Sequence, residues 1–115
     1  MQLRSREWRI FLEDMLAGCK DVQSFTRNKT IEDLIGDKAL NYAVLHALQI
    51  IGEAANNIPD EIQTQMPDID WRGVIGVRHV IVHGYTAINY TTVWDIVQHR
   101  VPEHEITLET LLNAT

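Results

Sequence analysis

The sequence predicts an all-α protein, a bundle of four or five helices. Three observations indicate this fold class. Apolar residues recur at three- and four-residue steps in two long stretches, which is the helical period. Glycine and proline stand where those stretches end. No two segments show the alternation of paired strands, and the most strand-like run, residues 80–82, lies inside a helical pattern.

The first half of the chain contains three predicted helices. The first runs from Leu3 to about Phe25, and a short second one follows Thr30 and ends at Gly36. Asp37 has the position of an N-cap for the third, which extends to about Asn57. Small residues along the third helix allow another helix to approach it closely.

The second half predicts a short helix, a central one and a final one. Pro59 ends the third helix, and residues 60–66 form one or two further turns. The central helix spans Trp71–His83, with Asp70 as its N-cap and Gly84 as its left-handed C-cap.

The final helix is predicted to start at Thr91 or Thr92 and to be interrupted by Pro102. The residues after Pro102 are predicted to form a looser tail.

Composition limits the function classes. A chain of 115 residues suits one domain, here residues 1–115. The net charge of -6 argues against a protein that coats nucleic acid non-specifically. Cys19 is the single cysteine, so neither an intramolecular disulfide nor a cysteine metal cluster is expected. The chain shows no signal peptide and no membrane span, which predicts a cytoplasmic location without membrane partners.

The central stretch WRGVIGVRHVIVHGY places polar residues in an apolar helix. His79 and His83 fall one turn apart on one face, and Arg78 flanks them. Burying such groups is unfavourable unless they are paired or functional. A guanidinium binds phosphate oxygens, and an imidazole moves protons near neutral pH. This set therefore suits RNA phosphodiester cleavage, in which the 2′-hydroxyl is the nucleophile and no metal or other cofactor is required.

Structural interpretations of the same residues remain open at this point. A histidine on an apolar helix is usually a core or surface residue. Arg78 can simply pair with Glu53 or with another carboxylate. Glu53 itself either orients Arg78 or only covers the helix surface. His79 and His83 have the spacing of two zinc ligands, but no third ligand is evident nearby, so no metal site is predicted.

The string RHVIVHGY resembles the signature of the HEPN superfamily. That signature is an Arg, a polar residue, three further residues and then a His. The following small residue and tyrosine resemble the HepT form. REWRIFLEDML resembles the first helix of that family, and LQIIGEAANNIP resembles the end of its second helix. The tryptophan of IDWRG and the later VWDIV follow at the places expected for that family. The resemblance covers about residues 6–102.

This resemblance implies an HEPN-type homodimer, or a higher assembly, whose two Arg/His motifs face one cleft. It implies a metal-independent endoribonuclease toxin of a type VII HepT/MntA toxin–antitoxin system, with RNA and not DNA as substrate. By position, Arg78 and His83 are catalytic, and His79 is accessory where relatives commonly have Asn or Asp. Tyr85 is the residue to which an MntA-like nucleotidyltransferase antitoxin transfers AMP.

A rival hypothesis is a non-catalytic helical module that binds nucleotide or docks a nucleotidyltransferase. The acidic net charge favours this rival, whereas the complete set of Arg78, His83 and Tyr85 favours the enzyme. His46, His99 and His104 have no motif around them and are expected to be structural or solvated. The three tryptophans are expected in the core or at a dimer contact.

Overall fold

The structure, a computed structural model, describes the backbone of residues 5–83 and 88–114 and the side chains of residues 7–77 and 88–114. These ranges contain α-helices and one π-helical segment, with no β-strand, which confirms the all-α prediction. In chain order they are α1 (Ser5–Thr26), α2 (Ile31–Gly36), α3 (Lys38–Asn56), α4 (Asp60–Gln65), α5 (Trp71–His83), α6 (Tyr90–Asp95), the π segment (Ile96–Arg100) and α7 (Val101–Asn113). None of these helices combines the length and the apolar character needed to cross a bilayer.

Helices α1 and α3 pack along much of their lengths and form the centre of the bundle. Leu12, Met15 and Val22 of α1 are fully buried. Gly18 lies at a close approach of the two helices: a Cβ atom there would come 2.5 Å from Cγ1 of Ile51 on α3. Helix α5 packs against α3, and α7 packs against α1, so these two helices flank the central pair.

Side-chain caps define the boundary between α2 and α3. The hydroxyl of Thr30 accepts a hydrogen bond from the Asp33 backbone N–H at 3.2 Å, and the Asp33 carboxylate accepts one from the Thr30 N–H at 2.9 Å. Asp37 accepts from the N–H of Leu40 at 3.2 Å. These caps satisfy amides that have no partner within the helix. They confirm the predicted stop at Gly36 and the N-cap at Asp37.

The prediction for the C-terminal region is wrong at two points. The last helix begins at Tyr90, one residue before Thr91, because Asn89 caps it through the Thr92 N–H at 3.1 Å. Nor does Pro102 interrupt it, since α6 runs through the π segment directly into α7. Proline lacks an N–H and clashes with a carbonyl in the preceding turn of a regular helix. The wider π turn gives Pro102 a place in the first turn of α7.

The predicted loose tail is instead a packed helix. Residues Val101, His104, Leu108 and Leu112 of α7 recur at helical spacing and are buried. Hydrogen bonds from Arg9 to the carbonyl of Leu112, at 3.0 Å, and between Gln23 and Glu105 join the helix to α1. The C-terminal segment therefore belongs to the core of the bundle.

Candidate functional site

Helix α5 carries most of the predicted site, and its first turn is held in place by two contacts. Oδ1 of Asp70 accepts a hydrogen bond from the backbone N–H of Gly73 at 3.1 Å, which confirms Asp70 as the N-cap. The indole N–H of the buried Trp71 donates to the carbonyl oxygen of Met66 at 2.9 Å. The start of α5 is therefore fixed both by its cap and by a core tryptophan.

The predicted catalytic residues lie in the second half of α5. Arg78, His79 and His83 are all on its helical backbone, as the spacing predicted, with His79 and His83 one turn apart. Their side chains lie outside the described part of the structure. Gly84, the predicted C-cap, and Tyr85, the predicted modification site, lie outside the described residues altogether. The mutual geometry of this set stays a prediction.

Glu53, the predicted accessory carboxylate, is an exposed residue of α3. Its Oε1 accepts a hydrogen bond from Nε2 of Gln49 at 3.3 Å, and its backbone carbonyl accepts one from Nδ2 of Asn57 at 2.9 Å. Both contacts are local to α3. They match the interpretation that Glu53 covers the helix surface, and its proposed action on Arg78 stays a prediction.

A cavity of about 270 Å³ lies beside α5, between that helix, the α1–α3 pair and the segment from α6 to α7. Its lining divides into an apolar set of residues, called the inner surface, and a polar set, called the rim. All residues of the polar set except the buried His104 are exposed. The apolar surface comprises Cys19, Leu48, Ile51, Val74, Val77, Ile96 and Val101. The rim comprises Asp70, Gly73, Thr92, Asp95, Arg100 and His104. This mixed lining resembles that of small-molecule sites, in which a few polar groups orient a ligand on an apolar surface.

His104 connects the cavity rim to the start of α5. Its Nε2 accepts a hydrogen bond from the backbone N–H of Asp70 at 3.3 Å, so the proton of the neutral ring resides on Nδ1. Burial lowers the pKa of His104, although the charges of Glu103 and Asp70 act in the opposite direction. A neutral imidazole is therefore favoured at this position.

The sequence prediction grouped His104 with structural or solvated histidines, and its burial and hydrogen bond match the structural alternative. Its place in the lining of the cavity was missed. The signal was present: His104 follows Val101 and precedes Leu108 at helical spacing. Ending the helix at Pro102 concealed that row of inward positions.

Cys19 lies on the inner surface of the cavity and is a free, buried cysteine. Burial raises the pKa of its thiol to about 12, and the negative charge of Glu105 contributes to the rise. The thiolate form is therefore scarce near neutral pH, and this cysteine is poorly suited to act as a nucleophile.

Within the part of the chain described by the structure, no group of three or more His, Cys, Asp and Glu residues is placed to hold a metal ion. The described residues therefore offer no metal centre to the candidate site.

Comparisons with known proteins bear on this site. Residues 15–111 match the family model described as ribonuclease HepT-like, and that range includes Arg78 and His83. A protein of Methanocaldococcus jannaschii named "Putative RNase" is 37% identical over 97 residues, which are 84% of this chain and 80% of the relative. A "Probable ribonuclease HepT" of Thermococcus cleftensis is 34% identical over 84% of this chain and 88% of its own.

A "Putative RNase" of Caldanaerobacter subterraneus is 30% identical over 90% of this chain and 93% of its own. No solved structure matches the chain significantly.

Proposed function

Because the chain belongs to the HepT-like ribonuclease family, we propose that it is a metal-independent endoribonuclease whose catalytic pair is Arg78 and His83. The observation that carries this proposal is the position of the RHVIVHGY motif. Its first six residues, RHVIVH, occupy the C-terminal half of α5, a capped and core-anchored helix inside the matched region. A rigid helix is a good support for a catalytic pair.

The proposed reaction is an internal transfer within the RNA strand. The 2′-oxygen forms a bond to the adjacent phosphorus, and the bond from phosphorus to the 5′-oxygen of the next nucleotide breaks. One proton leaves the 2′-hydroxyl and one is delivered to the 5′-oxygen, and His83 is suited to such transfers. Arg78 is suited to bind the phosphate oxygens and to stabilise the charge that develops on them. The products are a 2′,3′-cyclic phosphate and a 5′-hydroxyl.

We place this reaction in a cleft between two copies of the chain. The protein has a net charge of -6, so one copy attracts RNA weakly. Two α5 motifs facing each other bring two sets of Arg78, His79 and His83 together, which makes the cleft locally basic. In this arrangement His79 contacts the substrate phosphate or supports Arg78. Glu53 is a candidate to orient Arg78.

We further propose that the protein is the toxin of a toxin–antitoxin pair, acting on cytoplasmic RNA and controlled at Tyr85. An MntA-like nucleotidyltransferase would transfer AMP to the tyrosine oxygen. The added phosphodiester carries a negative charge that can pair with Arg78, and the adenosine adds bulk beside the cleft. Inhibition would then be both electrostatic and steric.

The test of catalysis is incubation of purified protein with cellular RNA in EDTA. We expect cleavage to persist in the chelator and to leave 2′,3′-cyclic phosphate ends. His83→Ala should reduce the rate by about 10²–10⁴-fold, the usual contribution of a positioned acid or base. His46→Ala, which changes an exposed histidine of α3, is the matched control and should cleave at the wild-type rate.

Full activity in a folded His83→Ala protein would refute the proposed pair. Loss of wild-type cleavage in EDTA alone would refute the metal-independent mechanism. A protein that cuts no RNA under any condition but binds a nucleotidyltransferase would instead support the docking module.

The test of control at Tyr85 is intact-mass spectrometry after incubation with the cognate nucleotidyltransferase and ATP. We expect wild type to gain at least one AMP unit and to lose its nuclease activity. Tyr85→Phe removes the acceptor oxygen, so it should gain no AMP at that site and stay active. A Tyr85→Phe protein modified and silenced like wild type would exclude Tyr85 as the switch.

A further inference from the structure

The cavity beside α5 has polar groups that the proposed cleavage chemistry does not use. Asp95 is an exposed residue, and its described contact is a pairing with His99 one turn later, at 3.8 Å. Arg100 lines the same rim and makes no ion pair with any described residue. The Nδ1–H of His104, a residue only 6% exposed, donates to no described group. The rim thus presents one carboxylate whose described pairing is local to its own helix, and two donors without a described partner.

The charges on the rim decide which kind of ligand suits the cavity. Among the lining residues that the structure describes, Asp70 and Asp95 contribute two carboxylates, while Arg100 contributes one guanidinium and His104 is favoured in its neutral form. A phosphate entering the cavity would meet more negative than positive charge. An uncharged ring that donates hydrogen bonds is better matched to the carboxylates. The apolar inner surface accommodates the faces of such a ring.

The volume of the cavity suits a ligand of the size of one heterocyclic base. About 270 Å³ is just below the range of roughly 300–1,000 Å³ typical of drug-sized ligands. Among the nucleobases, guanine alone places two adjacent N–H donors, N1–H and N2–H, where one carboxylate can accept both. It also carries two adjacent acceptors, O6 and N7, which arginine commonly binds. Asp95 offers the acceptors and Arg100 and His104 the donors for this pattern.

We propose that the cavity binds one unstacked guanine of the RNA strand, and so gives the proposed ribonuclease a preference for the nucleotide beside the scissile phosphate. This inference rests on the proposed function. Val77, on the cavity surface, directly precedes Arg78, and Val74 lies four residues before Arg78, about 6 Å along the helix axis. Recognition of splayed-out single-stranded bases is the usual way in which proteins read RNA sequence.

The π segment supports a binding role for this wall. Ile96 and Arg100, the first and last residues of the segment, both line the cavity. The Val101 N–H donates to the carbonyl of Ile96, the five-residue step that widens a helical turn. Single π turns within α-helices occur often at functional sites. Here the widened turn places Asp95 and Arg100 on the rim of one cavity.

The first measurement is a titration of the full chain with nucleoside monophosphates, in which binding is observed through the methyl NMR signals. GMP should shift the methyl signals of Leu48, Ile51 and Val74, which line the cavity. Inosine monophosphate lacks only the 2-amino group and should bind about tenfold more weakly, since one hydrogen bond to a charged acceptor is lost. UMP should leave these methyl signals unchanged.

The second measurement is a map of cleavage positions in a randomised RNA. Wild type should show guanine enriched at one fixed offset from the cut. Asp95→Asn replaces one acceptor oxygen by a donor, so it should weaken GMP binding at least tenfold and abolish the enrichment. Asp68→Asn makes the same charge change at an exposed residue that does not line the cavity, and should retain both.

The outcomes separate this inference from the proposed function. Cleavage without any base preference, together with unshifted cavity methyl signals, would overturn the guanine site and leave the nuclease intact. GMP binding at the cavity in a protein that cleaves no RNA would overturn the nuclease and leave the guanine site standing. Equal guanine enrichment in Asp95→Asn and Asp68→Asn would remove Asp95 from base recognition and overturn the assignment.

Discussion

The α1–α3 interface and the cavity beside α5 are neighbours that are packed in opposite ways. At the interface, Leu12 and Met15 are fully buried, and Gly18 leaves no room for a Cβ atom against Ile51. In the cavity, about 270 Å³ remains open against the same helix α3. Ile51 belongs to both regions, since it contacts Gly18 and also lines the cavity.

This difference indicates a division of roles within one small bundle. Protein interiors are normally packed as densely as organic crystals, and open space deprives side chains of van der Waals contacts. The central helix pair buries its apolar side chains fully and leaves no room at Gly18, so it should determine the stability of the fold. The space beside α5 weakens packing next to the proposed catalytic helix, which is acceptable if a ligand occupies it.

The largest expected effect is at the packed interface. Leu12→Ala removes a fully buried side chain and should lower the free energy of unfolding by about 2–5 kcal/mol, because a cavity is left behind. The measurement is urea unfolding monitored by circular dichroism. Ile10→Ala on the same helix changes a side chain that is 55% exposed, and should lower it by less than about 1 kcal/mol. Equal losses in the two variants would contradict the assignment of α1 to the core.

A smaller effect is expected from adding a single carbon to the interface. Gly18→Ala places Cβ 2.5 Å from Ile51 Cγ1 and should destabilise the protein by about 1–3 kcal/mol, despite the higher helix propensity of alanine. Gly76→Ala in α5 is the control: no described atom lies within 4 Å of its Cβ position. This control substitution should raise the free energy of unfolding by about 0.5–1 kcal/mol, because alanine has the higher helix propensity. A stabilising Gly18→Ala would show that Ile51 rotates readily into the cavity.

Much of the fold follows from sequence because its signals are local. The caps at Asp37 and Asp70 are short-range patterns of residue type and spacing, and both were predicted at their observed positions. The short helix that Thr30 caps was likewise predicted to follow that residue. The final helix was predicted, but its continuation past Pro102 was not, since the effect of Pro102 depends on whether the preceding turn can widen. That is decided by packing of α7 on α1, a contact between residues far apart in the sequence.

The candidate site divides in the same manner. Arg78 and His83 can be named from one contiguous motif. The cavity cannot, because Cys19, Asp70, Asp95 and His104 come from separate segments of the chain and carry no spacing signature. Only the fold shows that these residues share one space, and only the hydrogen bond from Asp70 to His104 shows which nitrogen of the ring is free to donate.

A third prediction adds a carbon to the cavity instead of the interface. Val77→Ile extends a side chain that lines the open space, so it should be tolerated and should stabilise by up to about 0.8 kcal/mol, the value of one buried methylene. Thermal unfolding of the variant beside wild type measures this. The same substitution narrows the proposed guanine site and should weaken GMP binding. Destabilisation as large as that of Gly18→Ala would show that the cavity wall is as tightly packed as the interface.

The smallest expected effect is a pH dependence of stability that arises at His104 in the cavity and not at the α1–α3 interface. Burial lowers the pKa of this histidine in the folded protein below its ordinary value of 6.5. As the pH falls below 6.5, the unfolded chain therefore takes up the proton first, and unfolding becomes more favourable. The stability associated with the neutral ring is fully present above pH 6.5 and is lost as the pH falls through the folded pKa.

His104→Gln is the variant that tests this pH dependence, because it keeps an acceptor for the Asp70 N–H but does not titrate. Urea midpoints between pH 7.5 and about 5 should fall more steeply for wild type than for His104→Gln. His46→Gln changes an exposed histidine and should follow wild type. GMP should also reduce the loss of stability of wild type at low pH. A ligand that accepts a hydrogen bond from Nδ1–H of His104 binds only the folded state and therefore stabilises it. If the urea midpoints of wild type and His104→Gln fall equally with pH, the pKa of His104 is the same in the folded and unfolded states. The ring would then be as well hydrated as a residue on the protein surface.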